Sequence, residues 1–193
     1  EYKNDLTAFN ALKKDSIEGK GSLNNAISAS LFEYMNENGI PNHFIQKIDD
    51  THQIVKKVRI LPVEVVVRNI TTGFYYKNDQ LGDPLILEDH AELFGWATKE
   101  QISFMKETSL KVNTLMSAYF DTLNIILVDF KLEFGVDANG TILLADEMSP
   151  DTCRFWDKTT MKKLDKDRFR KDLGDVLGAY REIWRRISEK EAN

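Results

Sequence analysis

Apolar residues early in the chain recur at helical spacing and then change rhythm. Ile27, Leu31, Tyr34 and Met35 fall on one face of a helix predicted from about Ser22 to Asn38, and Asn38-Gly39 followed by Pro41 supplies its stop. Between Phe44 and Arg68 the pattern turns strand-like. Ile54-Val-Lys-Lys-Val-Arg-Ile60 half alternates, whereas Val63-Glu-Val-Val-Val67 is nearly continuous and is expected to be buried. Thr98 and Gln101 form a capping box ahead of a long helix with the stripe Ile102, Met105, Val112, Met116, Tyr119 and Leu123. Ile125 to Glu147 reads as a β-hairpin turned around Asp137-Ala-Asn-Gly140. A last helix is predicted from about Asp165 to Ser188, with Phe169, Leu173, Val176, Tyr180, Ile183, Trp184 and Ile187 inward. Helices segregated from antiparallel strands place the chain in the α+β class.

The hairpin carries unusual chemistry on one face. Side chains alternate along a strand, so Val128, Phe130, Leu132 and Phe134 share one side of Leu127-Val-Asp-Phe-Lys-Leu-Glu-Phe-Gly135. Leu127, Asp129, Lys131 and Glu133 share the other. A two-residue turn at Asn139-Gly140 sets Glu133 opposite Asp146, and a four-residue loop Asp137–Gly140 sets Lys131 opposite it. Both even loops keep Asp146 on the charged face; a three-residue loop reverses it. Carboxylates facing one another across a ladder repel, and a bound Mg²⁺ removes that penalty while keeping positions open for phosphates. A solvated sheet face of mixed charge fits the same pattern, and alternation does not choose between them.

Composition narrows the partners. The chain has 193 residues, 42% hydrophobic and 30% charged, enough for one substantial core or two small lobes. A net charge of −5 argues against duplex nucleic acid, which needs a clustered positive footprint. No apolar run approaches the roughly 18–20 residues that span a bilayer. No signal-peptide pattern opens the chain, and Cys153 is its single cysteine, so a reducing compartment, the cytoplasm, is expected.

Other segments are individually ambiguous. Ser149, Asp151 and Arg154 sit close together after the hairpin and either line a binding loop or form an ordinary turn beside Phe155-Trp156. Arg68, at the end of the apolar strand, either snorkels or anchors an anion. Glu18-Gly-Lys-Gly-Ser22 offers glycines and a helix N-terminus to an anion but lacks the spacing of a Walker A loop. Cys153 reads as a buried filler rather than a nucleophile.

Taken together the segments resemble the SAICAR synthetase family. Leu61-Pro-Val-Glu-Val-Val-Val-Arg-Asn69 and Leu127-Val-Asp-Phe-Lys-Leu-Glu-Phe-Gly135 look like its two signatures. Gly19-Lys-Gly-Ser-Leu-Asn-Asn25, Phe74-Tyr-Tyr-Lys-Asn-Asp-Gln-Leu-Gly-Asp-Pro84, Leu144-Ala-Asp-Glu-Met-Ser-Pro-Asp-Thr-Cys-Arg154 and Asp165-Lys-Asp-Arg-Phe-Arg-Lys-Asp-Leu-Gly174 follow in the family's order. The resemblance implies a two-lobed α+β fold of antiparallel sheets with packed helices and an ATP site between a β-rich nucleotide-binding lobe (1–67) and a catalytic lobe (68–193). It implies an ATP- and Mg²⁺-dependent ligase that joins L-aspartate to the carboxylate of carboxyaminoimidazole ribonucleotide in purine biosynthesis, through an acyl phosphate, and a homodimer. Without the resemblance, a nucleotide-binding module and a small-molecule phosphotransferase remain alternatives.

Residue roles follow only from the resemblance. Asp129 and Lys131 stand near the reacting groups, and Glu133 and Asp146 serve the magnesium–nucleotide complex. Lys77 and Asp83 contact the nucleotide. Arg68 and Arg154 hold the imidazole nucleotide's phosphate or carboxylate, Ser149 and Asp151 line the substrate loop, and Lys166 and Arg170 belong to the same pocket. Two departures stand out. The family begins with a further β segment bearing a Gly-Lys-Ala-Lys-like phosphate contact, and it has roughly 20 residues, long for a loop, where this chain passes from Gly73 directly to Phe74. Both departures fall where parts of the ATP clamp are expected.

Overall fold

A computed structural model describes residues 1–8, 12–70 and 86–192. In chain order its strands are β1 (Asp5–Ala8), β2 (Lys13–Ser16), β3 (Phe44–Lys47), β4 (Gln53–Val55), β5 (Arg59–Arg68), β6 (Ile125–Val136), β7 (Ile142–Ala145) and β8 (Cys153–Asp157). Its helices are α1 (Lys20–Glu37), α2 (Glu88–Leu93), α3 (Lys99–Thr122), α4 (Asp167–Arg170) and α5 (Val176–Glu191). The architecture is α+β, with antiparallel pairing throughout the strands described.

The long strand β6 organises the site. β5 runs along one of its edges, and β7 and β8 share the other edge end to end. β7 pairs Glu133 to Val136, whereas β8 pairs Ile125 to Phe130. Between those partners, at Lys131, the edge is open except for a hydrogen bond from the Lys131 amide to the Thr152 carbonyl. The loop joining β7 to β8 therefore emerges beside the middle of the charged row.

Alternation along β6 holds from Asp129 to Phe134. Phe130, Leu132 and Phe134 join the hydrophobic core, where Phe120 lies 4.5 Å from Phe155 and Phe104 meets Phe134 edge-on. Leu127, expected on the charged face, is also in that core, because the register with β8 shifts between Leu127 and Asp129. Burying one such ring contributes roughly 2–3 kcal/mol. Thr98 and Gln101 make both reciprocal bonds of the capping box at the start of α3. At the end of α1, Gly39 donates to Asn36 and Ile40 to Met35, with Gly39 in the left-handed region, so the chain turns as the Asn38-Gly39 signal predicts.

Three expectations fail. The run Val63–Val67 is not buried: Val66 is 52% exposed, because β5 is the sheet edge. Val63, Val65 and Val67 pack inward, while Glu64, Val66 and Arg68 face out, so an outward valine disguises plain alternation. Pro62, which has no N–H to give a ladder, sits where the β5–β6 register shifts. The final helix is broken. Asp172, Gly174 and Asp175 all take positive φ and separate α4 from α5, leaving Leu173 46% exposed rather than inward.

The hairpin loop is the third. Val136 pairs with Ile142 and Glu133 with Ala145, so neither even-loop register occurs. The Asp137 amide bonds the Thr141 carbonyl and the Gly140 amide the Asp137 carbonyl, around a three-residue loop whose last residue, Gly140, has φ 83°. That is a turn followed by a left-handed bulge residue. The Asp137 carboxylate fastens it by accepting from the Asn139 and Thr141 amides.

Candidate active site

A three-residue loop should turn Asp146 to the apolar face, yet its carboxylate lies 3.4 Å from Lys131 Nζ. The backbone explains this. β7 ends at Ala145, and Asp146 takes φ 62°, a left-handed conformation that Asp tolerates better than most residues and that redirects its side chain. Lys131 Nζ also lies 2.5 Å from Glu133 Oε1 and 3.0 Å from Glu64 Oε1 across on β5. Burial pulls the Lys131 pKa down. The hydrogen bonds to Glu133 and Glu64 and the Asp146 charge outweigh it, so the group is held as an ammonium.

One step along the strand the signs alternate again. Buried Asp129 accepts from Arg68 Nε at 3.1 Å and from Arg154 Nη1 at 2.7 Å. Arg154 Nε reaches Asp167, which also holds Arg170, Lys163 and Lys171. The charged row is thus a connected network of acids and bases, not a freely solvated face.

Around the open edge at Lys131, the loop after β7 closes on itself. Ser149 is fully buried; its hydroxyl accepts from the Asp151 amide and its carbonyl from the Thr152 and Cys153 amides. This stitching aims Asp151 at Lys20 Nζ of α1, 2.8 Å away, and at the Tyr180 hydroxyl of α5, 2.6 Å away. Burial raises the Asp151 pKa, but the charges of Lys166 and Lys20 bring it below the ordinary value. Glu147 is less well compensated: burial and the Asp151 charge outweigh a Ser149 hydrogen bond and the Lys20 charge and push its carboxyl up to about 7. Cys153 is buried and burial pushes its thiol up, so it is a filler in this wall.

A cavity of about 530 Å³ opens here, lined by Lys20, Asn24, His43, Asp146, Glu147, Asp151 and Lys166 among others. Arg68, Asp129, Lys131, Glu133, Asp146 and Arg154 thus lie together on the outer face of the sheet. Asp146, Asp151 and Lys166 border the cavity, and Arg170 joins through Asp167. Ser149 shapes the loop from within. Lys77 and Asp83 fall outside the described residues.

The family assignment comes from comparison with known proteins. The sequence model of the SAICAR synthetase family matches residues 1–75 and 72–187. The chain belongs to the SAICAR synthetase family. It is 52% identical over 209 residues to the phosphoribosylaminoimidazole-succinocarboxamide synthase of Caldanaerobacter subterraneus subsp. tengcongensis, covering 98% of this chain and 88% of that protein. A SAICAR synthetase solved in complex with ADP superposes with a TM-score of 0.92 at 45% identity, covering 98% of this chain and 89% of that one. The SAICAR synthetase of Pyrococcus horikoshii OT3 superposes with a TM-score of 0.90 at 44% identity, covering 98% and 92%. The family match comes in two pieces that overlap at residues 72–75.

Sequence reasoning did not single out Glu147, Asn24, His43 or Tyr180 as site residues, and it weighed Lys20 only within a glycine-flanked helix start. Asn24 and His43 are buried polar residues separated by more than a hundred positions from Asp151, and only the packing of α1 and of the segment before β3 brings them to the loop. Lys20 did carry a signal: a lysine between two glycines at a helix start, where Gly21 approaches the Tyr2 carbonyl so closely that a Cβ would stand 2.7 Å from it.

Proposed function

We propose that this chain is an ATP-dependent ligase that joins L-aspartate to the carboxylate of carboxyaminoimidazole ribonucleotide, giving SAICAR, ADP and phosphate in purine biosynthesis. The observation that carries the reading is the row Asp129–Lys131–Glu133, with Asp146 returned to it by its left-handed backbone, beside a cavity in a chain of this family. Three polyanionic or acidic substrates must be gathered in one place, and alternating acids and bases on a rigid strand suit that task.

Glu133 and Asp146 are the carboxylates we assign to Mg²⁺. Both are hard oxygen donors within 3.4 Å of one ammonium, and they fit the ion chemically. Among the described residues no three His, Cys, Asp or Glu side chains are gathered to hold an ion alone, so nucleotide phosphates and water would complete the shell. When bound, the ion would neutralise phosphate charge. Lys131 and Asp129 lie near the reacting groups, with Lys131 offering its ammonium to a phosphoryl oxygen. Arg68 and Arg154 would hold the phosphate or carboxylate of the imidazole nucleotide, and Ser149 and Asp151 shape the substrate loop. Lys166 and Arg170 would supply further positive charge, and Lys77 and Asp83 would contact the nucleotide.

In this reading a carboxylate oxygen of the imidazole nucleotide attacks the γ-phosphorus and ADP leaves. The aspartate amine then attacks the acyl carbon, loses its proton, and phosphate departs with the original carboxylate oxygen. Carboxylate labelled with ¹⁸O tests the sequence: one label should appear in inorganic phosphate, and unlabelled phosphate alongside amide product would refute the acyl phosphate. The division into lobes at residues 67 and 68 is proposed as functional rather than as a gap in the sheet, since β5 is hydrogen-bonded to β6. A cytoplasmic homodimer completes the reading, and light scattering checks the dimer. No helix among the described residues is long and apolar enough to cross a membrane.

A further inference from the structure

The cavity beside Asp146 holds three unpartnered buried atoms. Asn24 Oδ1, His43 Nε2 and Glu147 Oε2 have no hydrogen-bond partner, and all three residues line the cavity. Asn24 is 1% and His43 7% exposed, so water outside the cavity does not satisfy them. A buried polar atom left unpaired is destabilising, and such a cost is tolerated where a ligand completes the bonding.

The chemistry of the three atoms is alike. Asn24 Oδ1 is an amide oxygen and accepts. His43 Nε2 is the ring nitrogen left without a partner in the cavity wall, and it accepts in the tautomer whose proton sits on Nδ1. Glu147 Oε2 is a carboxyl oxygen. Three acceptors lining one cavity match a group with several N–H donors. The same cavity is lined by two cations: Lys20, 4% exposed and hydrogen-bonded to Asp151, and Lys166. A ligand with an ammonium at one end and carboxylates at the other fits both sets.

We propose that this cavity is the subsite for the amine co-substrate, an α-amino dicarboxylic acid, with Asn24, His43 and Glu147 receiving its amino group and Lys20 and Lys166 its carboxylates. The inference rests on the ligase reading above and adds residues to it. Position supports it, because Asp146 belongs both to the cavity wall and to the Lys131 cluster, so an amine bound here lies beside the face where the carboxylate is activated.

Steady-state kinetics of the full chain, with each of the three substrates varied in turn, test the proposal. Asn24→Leu and His43→Phe each remove an acceptor while keeping bulk, and the phenyl ring preserves the edge contact that His43 makes with Phe32 at 5.3 Å. Both should raise KM for L-aspartate at least tenfold, with KM for ATP and for the imidazole nucleotide within twofold and Tm unchanged. Folded variants with unchanged aspartate KM overturn the proposal, as does an equal rise in KM for ATP, which would make the cavity part of the nucleotide site. Should neither variant fold, the wild-type chain still decides. Succinate, which lacks the amine, should compete with aspartate with a Ki at least tenfold above the aspartate KM; equally tight competition contradicts the assignment. Absence of amide product from the wild-type chain with all three substrates would instead refute the ligase reading itself.

Discussion

Asp167 is 3% exposed, yet Arg154 and Arg170 approach one of its oxygens and Lys163 and Lys171 the other. Burial raises its pKa, but the Arg154 charge and the hydrogen bonds from Arg170 and Lys171 prevail and lower it to about 2 from 3.8. A carboxylate depressed on folding stabilises the native state above its unfolded pKa, and that contribution disappears as pH falls through the folded value. Roughly 2 kcal/mol should therefore be lost between about pH 4 and pH 2. Urea midpoints across that window should fall more steeply for the wild type than for Asp167→Asn; parallel curves would contradict the account. At neutral pH the same substitution should destabilise by roughly 2 kcal/mol, since it removes the buried anion that four partly exposed cations share. Glu133→Gln tests the neighbouring cluster. Calorimetry should show Mg-nucleotide affinity at least tenfold weaker, about 1.4 kcal/mol, in a protein that keeps its fold. Unchanged affinity would remove Glu133 from the metal site. At this scale strand alternation already placed Asp129, Lys131 and Glu133 together in sequence. It could not place Asn24, His43 or Glu147, because residues on α1, before β3 and after β7 share no local period.

Elements with strong local signals were legible: the stop of α1, the capping box of α3 and the two faces of β6. Misreadings arose where a local rule met a longer-range one. Val66 made an edge strand look like a buried one, and sheet position is set by which strands pair, not by the run itself. Phe169, Val176, Tyr180 and Ile183 keep helical spacing across a break that three left-handed residues impose. In the hairpin, the left-handed bulge residue Gly140 sets the register, and Asp146 then reverses the resulting face. Gly140→Ala should destabilise by about 1 kcal/mol or more through its φ of 83°, since no atom lies within 4 Å of a built Cβ. Chemical denaturation measures it. A neutral result would mean that the loop adopts another turn, and with it another register for Glu133.

For the whole molecule, residue pattern gave an α+β chain with a plausible anion and metal face, and no reaction. The reaction came from several motifs in family order, which the family match and the superposed SAICAR synthetases support. Packing then joined segments far apart in sequence: α1 brings Lys20 to Asp151, and α5 brings Tyr180 to the same carboxylate. The claim at the centre of this account is that the assembled face couples ATP cleavage to amide formation. ADP release measured with ATP and Mg²⁺, with and without each of L-aspartate and carboxyaminoimidazole ribonucleotide, tests it most directly. The account predicts ADP release that requires both acceptor substrates and equals amide formed; equal release with ATP alone, or none with all three present, would contradict it.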